Sequence, residues 1–313
     1  MSAAPHIHTE KSVSSIMRDV LIALLPAFIC GVVMFGYYAA AVVICAVVSS
    51  VLFEHLFCII TKKKSTISDL SAAVTGLLLG LNMPPTIPLW MVVIGSAFAV
   101  IVAKCLYGGL GKNFINPALA GRCFMLLAWT GAMTTFVTPF DAVTSATPLA
   151  IMKETGGELP SLSNLFLGVT GGCIGETSVL ALLIGFLYLV YRRVIKIDTT
   201  VSLLGTFFVL TFFFGENKTT QPQIMYTLMQ MCSGGLMLGA FFMATDYVTT
   251  PTTKKGHIIF GLGCGVLTFL IRQFGGYPEG ISYAILLMNV ASPLIENYTV
   301  PKPFGYTRKE RTK

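Results

Sequence analysis

The chain has 313 residues, 54% of them hydrophobic and only 11% charged, with a formal net charge of +7. Soluble domains carry about 25% charged residues, so there is too little polar surface here to cover a soluble core; the composition excludes a cytosolic globular enzyme, a disordered chain and a nucleic-acid binder. The eight cysteines are too few and too scattered for a disulfide scaffold, and none forms a Cys-x-x-Cys pair, which argues against a zinc or iron–sulfur site held by this chain alone.

Read in chain order, the first 19 residues are polar and form no cleavable signal peptide; they read as a cytoplasmic tail. Apolar runs long enough for helices in a bilayer then follow at 20–36, 38–60, 70–82, 89–106 and 116–130, and again at 176–191, 199–214, 224–244, 257–271 and 281–297. The expected fold is therefore an all-α integral membrane protein with about ten transmembrane helices. Several spans are short or broken. The third stops at Asn82-Met-Pro-Pro85, where two prolines end a helix. Irregular backbone at membrane depth is tolerated only where protein or a cavity covers it.

Ten spans put both termini on one side. Placing that side in the cytoplasm assigns 18 of the 21 basic residues to inner segments and leaves Lys153, Lys218 and Arg272 outside. Cytoplasmic loops of membrane proteins are rich in Lys and Arg, so the charge balance fixes the orientation, and the +7 reflects topology rather than an acidic partner.

The two halves echo each other. Val20–Phe28 is similar to Val179–Phe186, Tyr107-Gly-Gly109 to Phe274-Gly-Gly276, and Asn116-Pro-Ala118 to Asn289-Val-Ala291, in that order. Five spans per half is an odd number, so the second half is expected to be inverted in the membrane, as in transporters with broken helices. The organisation expected is a tail at 1–19, a five-helix repeat at 20–130, an outward loop at 131–175, an inverted repeat at 176–298 and a basic cytoplasmic tail at 299–313.

The loop holds Asp141-Ala-Val-Thr144-Ser145-Ala146-Thr147-Pro148. Thr147 suits a helix N-cap and Pro148 the first helical position, so a short helix is expected to run towards Lys153. Its free N–H groups would surround the Thr147 hydroxyl, where an anionic substituent is favoured. Ser145 and Ala146 are small and leave room for a bulky group. On its own, the segment reads first as a plain helix cap on a surface turn.

That segment also resembles the Asp-x-x-Ser/Thr-Gly/Ser-Ala-Thr motif recognised by bacterial flavin transferases, with Ser145 where glycine is frequent. Gly111–Arg122 and Gly172-Cys-Ile-Gly-Glu-Thr-Ser178 are similar to stretches of the NqrB/RnfD family of membrane subunits, and the likeness extends over most of residues 18–300. The short N-terminal tail resembles the RnfD type, found in the ion-translocating ferredoxin:NAD oxidoreductase (Rnf) complex, more than NqrB of the sodium-pumping NADH:quinone oxidoreductase. The resemblance implies FMN joined through its phosphate to Thr147, with Asp141, Thr144, Ser145, Ala146, Glu176 and Thr177 around it. It also implies maturation by a flavin transferase, and partnership with other Rnf membrane, flavin and iron–sulfur subunits in the bacterial inner membrane. The chain itself has no GxGxxG unit after a strand and is not expected to bind NAD. A stand-alone channel or transporter of a small polar solute is the competing reading of the same inverted repeat.

By the same resemblance a second, non-covalent flavin, riboflavin, is expected near Asn113, Asn116 and Arg122, placed at the inner end of the fifth span. The residues themselves read first as satisfying the broken backbone around Pro117. Glu176-Thr177-Ser178, at the start of the sixth span, reads by itself as capping. Glu54 with His55, Asp69 and Asp246 sit near inner span ends. An ionisable group at membrane depth is a candidate for an ion path, and at an interface it is simply solvated. The cysteines read as small apolar filler.

Overall fold

Ser12 opens the first helix, its hydroxyl accepting from the Ser15 N–H at 3.2 Å. In this computed structural model, which describes residues 12–63, 66–140, 143–153, 159–276 and 279–301, α1 runs over Val13–Phe35 and α2 over Tyr37–Ile60. The helix thus begins seven residues before the apolar run expected to start at 20. A capping hydroxyl, not hydrophobicity, decides where it starts. Next come α3 (Ser71–Leu81) and α4 (Leu89–Ala97), the latter continuing as a π-helix over Phe98–Cys105, and then α5 (Pro117–Ala128). The π-helical winding was not expected from sequence.

The segment 131–175 has structure of its own. It contains Val137 bridged antiparallel to Thr144, with the Thr138 N–H donating to Val143 O at 2.8 Å and the Ser145 N–H to Phe136 O at 3.0 Å. A one-turn helix α6 (Thr130–Met133) starts the segment, and α7 (Pro148–Lys153) and α8 (Leu162–Leu167) follow. The second half comprises α9 (Val179–Tyr191), α10 (Ile197–Phe214), α11 (Gln223–Cys232), α12 (Leu236–Leu238, continued as a π-helix over Gly239–Met243), α13 (Lys254–Phe274) and α14 (Ile281–Thr299). No strand occurs among the described residues beyond that single bridge.

Among the described residues, four helices, α1, α2, α10 and α13, are long and apolar enough to cross a membrane. α11 and α12 make a fifth candidate, bent by 64°, and α3, α4, α5 and α9 are shorter apolar helices. The eighth expected span, 224–244, is therefore broken rather than continuous. Its bend falls at Ser233-Gly234-Gly235, where Gly234 has φ +66°, a conformation glycine reaches without strain. Leu70, immediately before α3, holds a similar φ of 62°, so a left-handed residue precedes α3 in the first half and lies two positions before α12 in the second.

Apolar residues recur along the outward faces, Ile22, Leu25, Ile29 and Val33 on α1 and Ile44, Val48, Leu52 and Leu56 on α2, all exposed. Such stripes at helical spacing suit hydrocarbon, not water, and mark a multi-pass membrane protein. Inside, α1 packs on α9, α2 on α3 and α4, α10 on α13, and α13 on α14. Lipid tails are as apolar as leucine, so helix association rests on close packing through small residues. Gly185 on α9 is the sharpest case: a Cβ there would strike the Ala23 carbonyl oxygen of α1. Gly185→Leu is expected to force α1 and α9 apart and destabilise the fold by about 1–3 kcal/mol, read as a lower unfolding midpoint in detergent; an unchanged midpoint would show that this contact is loose.

Candidate functional site

The expected short helix after Thr147 is α7, and the Thr147 hydroxyl caps it, accepting from the Ala150 N–H at 3.2 Å. Thr147 is buried, with 7% of its surface exposed. It lines a cleft of about 300 Å³ together with Gly171, Gly172, Glu176, Thr177, Ser233, Gly234 and Glu279. Ser145 lies beside it, since a Cβ on Gly171 would come within 2.6 Å of the Ser145 hydroxyl oxygen. Ser145 Oγ, Thr177 Oγ1 and Glu176 Oε2 are buried without any hydrogen-bond partner. Buried polar groups are nearly always paired, so three orphans around one cleft are unusual. Thr144 and Ala146 are exposed and do not line it. Asp141 lies outside the described residues.

Behind the cleft sits a buried ion cluster. Arg122 Nη1 donates to Glu176 Oε1 at 2.7 Å, to Asn82 Oδ1 at 2.6 Å and to Ser282 Oγ at 3.2 Å. Arg122 Nη2 pairs with Glu279 Oε2 and approaches the Cys173 sulfur at 3.7 Å. The guanidinium thus joins α5 to the C-terminus of α3, the segment before α9 and the start of α14. Within the stretch read as capping the sixth span, Ser178 is the residue that caps: α9 starts at Val179, and the Ser178 hydroxyl accepts from the Ala181 N–H at 3.3 Å, while Glu176 faces Arg122. Arg122, grouped in sequence with Asn113 and Asn116, does not line the cavity those two share; its side chain turns towards two carboxylates. Cys173, Glu176 and Glu279 hold ligand atoms within 4.8 Å of one another, but both carboxylates already face Arg122.

At the far end of α9, a second cavity of about 770 Å³ is lined by Asn113, Asn116, Asp246, Lys104, Ser71 and largely apolar neighbours. Asn116 caps α5, its Oδ1 accepting from the Ala118 and Leu119 N–H groups at 3.1 and 3.4 Å. With its amide turned to satisfy both neighbours, Asn289 accepts from the Asn116 N–H at 3.1 Å and donates to Thr249 O at 3.2 Å, so the two asparagines paired by the sequence echo meet in space. Asp246 accepts from Thr249 Oγ1 at 3.1 Å. Glu54 and Asp69 join this end through Lys104, which donates to Glu54 Oε2 at 2.7 Å and to Ser71 Oγ at 2.6 Å, while Ser71 Oγ donates to Asp69 Oδ1 at 2.5 Å. Thr66 Oγ1 also donates to Glu54.

A model of the NQR2, RnfD, RnfE family matches residues 1–305 of the chain. The chain belongs to this family. The D-type subunit of the Na(+)-translocating ferredoxin:NAD(+) oxidoreductase complex of Acetobacterium woodii is 48% identical to it, over 98% of this chain and 96% of that protein. The D-type subunit of the proton-translocating ferredoxin:NAD(+) oxidoreductase complex of Clostridium ljungdahlii is 46% identical, again over 98% and 96%. The D-type subunit of the ion-translocating oxidoreductase complex of Cronobacter sakazakii is 36% identical over 98% of this chain and 99% of that protein.

In this NQR2, RnfD, RnfE family member, sequence reasoning missed Asn82, Glu279 and Ser282 as partners of Arg122, and Lys104 as the partner of Glu54. One signal was available: Asn82 and Lys104 are polar residues inside apolar runs, which calls for a partner. Glu279 sits in a connecting segment, where a carboxylate is unremarkable.

Proposed function

We propose that the chain is the membrane-embedded D-type subunit of an ion-translocating ferredoxin:NAD oxidoreductase, built as ten spans in two inverted repeats, carrying FMN esterified to Thr147 and working with the other subunits of that complex. The names and coverage of the relatives support the complex and its sister subunits. The left-handed residues before α3 and α12 and the meeting of Asn116 with Asn289 support the repeat. The charge balance supports cytoplasmic termini and an outward Thr147.

The observation that carries the flavin reading is the cleft: the one hydroxyl the motif selects borders it, and three polar atoms around it have unspent hydrogen-bonding capacity. These residues fit the group. Thr147 offers the ester oxygen; Gly171, Gly172 and Gly234 leave space; Ser145 and Thr177 offer hydroxyls. Arg122 fixes Glu176, so its free oxygen keeps one position. A flavin held here would supply electron-transfer chemistry, with the protein providing binding, orientation and electrostatics. The cavity around Asn113, Asn116 and Asp246 is the place we assign to a non-covalent riboflavin. Its walls are mostly apolar with a few polar groups, the usual make-up of a cofactor site.

The test is in-gel fluorescence of the denatured protein produced together with a flavin transferase. Wild type is expected to give a flavin band and Thr147→Ala none. Loss of the cap costs only about 0.5–2 kcal/mol in a helix outside the spans, so Thr147→Ala is expected to insert and accumulate normally. A dark wild-type band beside an active control substrate would sink the covalent assignment.

A further inference from the structure

The bundle carries a second cleft near α7, of about 540 Å³, that shares no lining residue with the Thr147 cleft. It lies among α7, α10, α11 and α13. Lys153, Lys218 and Arg272 all line it. These are the three basic residues that the sequence places in outward segments, against eighteen inward. They come from three separate stretches of chain, so neighbourhood in sequence does not explain why they meet.

From this convergence we propose that the cleft binds a phosphate-class oxyanion, the headgroup of an anionic phospholipid or a free phosphate. One carboxylate, Glu216, also lines the cleft and lies 4.0 Å from Lys218 at the exposed rim, which leaves an excess of positive charge. Arg272 spends both terminal nitrogens on the bend: Nη1 donates to Gln230 O at 2.5 Å and Nη2 to Ser233 O at 3.0 Å, carbonyls freed where α11 ends. Its Nε has no partner, and neither has Thr211 Oγ1. Both side chains line the cleft and are more than nine-tenths buried.

Clamping the bend accounts for the guanidinium alone. It does not account for the lysines. Lys153 reaches the Gly275 carbonyl, and its ammonium is held below the usual lysine range by burial and then by the nearby Lys218. Two cations that repel each other across a cleft are the arrangement an anion relieves. Basic pockets between membrane helices on the cytoplasmic side bind lipid headgroups, and a phosphate headgroup of the outer leaflet would meet the same excess of positive charge here. α10, which supplies Phe207 and Thr211 to the cleft, ends in Phe213 and Phe214, 71% and 69% exposed, an apolar surface on the same helix for the acyl chains of such a lipid.

The test uses the full chain in detergent with whatever subunits co-purify. Thermal unfolding is followed with added dioleoylphosphatidylglycerol, with the zwitterionic phosphatidylcholine of the same chains, and with inorganic phosphate. Stabilisation by phosphatidylglycerol alone identifies a lipid headgroup; stabilisation by inorganic phosphate as well identifies a free oxyanion as sufficient. In Lys153→Gln/Lys218→Gln, both side chains at the cleft's edge and no part of the packed core, the apparent affinity is expected to fall by about tenfold or more. Thr211→Val, which removes only the orphan hydroxyl, is expected to weaken the same response. Equal stabilisation by both lipids with no effect of phosphate, or an unchanged response in the double variant, overturns the proposal.

Discussion

Replacing Arg122 by Gln is expected to be among the most damaging single changes in the chain. The guanidinium is 5% exposed and faces two carboxylates, Glu176 and Glu279, plus the Asn82 amide. Removing one partner of a buried ion pair leaves an uncompensated charge, at about 3–5 kcal/mol; here two carboxylates would be left facing each other. The expected readout is a fall of roughly 5–15 °C in the unfolding midpoint in detergent. Arg122→Lys keeps the charge but loses the planar fork that serves several acceptors at once, so it should fall between wild type and Arg122→Gln. A wild-type midpoint for Arg122→Gln would mean that water or another cation already neutralises the cluster.

Lys104→Met is expected to have a comparable effect for a simpler reason. Lys104 and Glu54 are each 2% exposed and form a one-to-one pair. The single variant strands a carboxylate in the core, again at about 3–5 kcal/mol, whereas replacing both members by apolar residues is often neutral. Glu54→Leu/Lys104→Met is therefore expected to recover most of the stability, and the double-mutant cycle isolates the coupling. If the double variant is as unstable as the single one, the pair acts mainly through Ser71 and Thr66 rather than through mutual attraction. No equivalent rescue is expected at Arg122, because its charge is shared between two acids on different segments.

What the sequence revealed was what is decided locally. The cap at Thr147, the helix after it and the cap at Asn116 depend on neighbours within three residues. Each predicted span coincides with a helix or a bent helix pair for the same reason: a run of apolar residues carries its own signal. The bend in the eighth span was hidden because Ser233-Gly-Gly235 sits inside an apolar run, and hydropathy does not report backbone conformation. The π-helical turns of Phe98–Cys105 and Gly239–Met243 were hidden likewise. The partners of Arg122 were out of reach for a different reason. They lie 40 to 160 positions away, and only the packed bundle decides which acid meets which base.

Those separations also set a clock on biosynthesis. Arg122 leaves the ribosome 54 residues before Glu176 and 157 before Glu279. At roughly 5–20 residues per second, the second carboxylate trails the cation by about 8–30 seconds. Over that interval the cation on α5 has its pairing incomplete, and Glu279 and α14 must arrive to close the cluster. The insertion machinery is thus asked to shelter a half-built bundle until α14 is made, and a truncation before α14 should be cleared by membrane proteases rather than persist as a stable fragment.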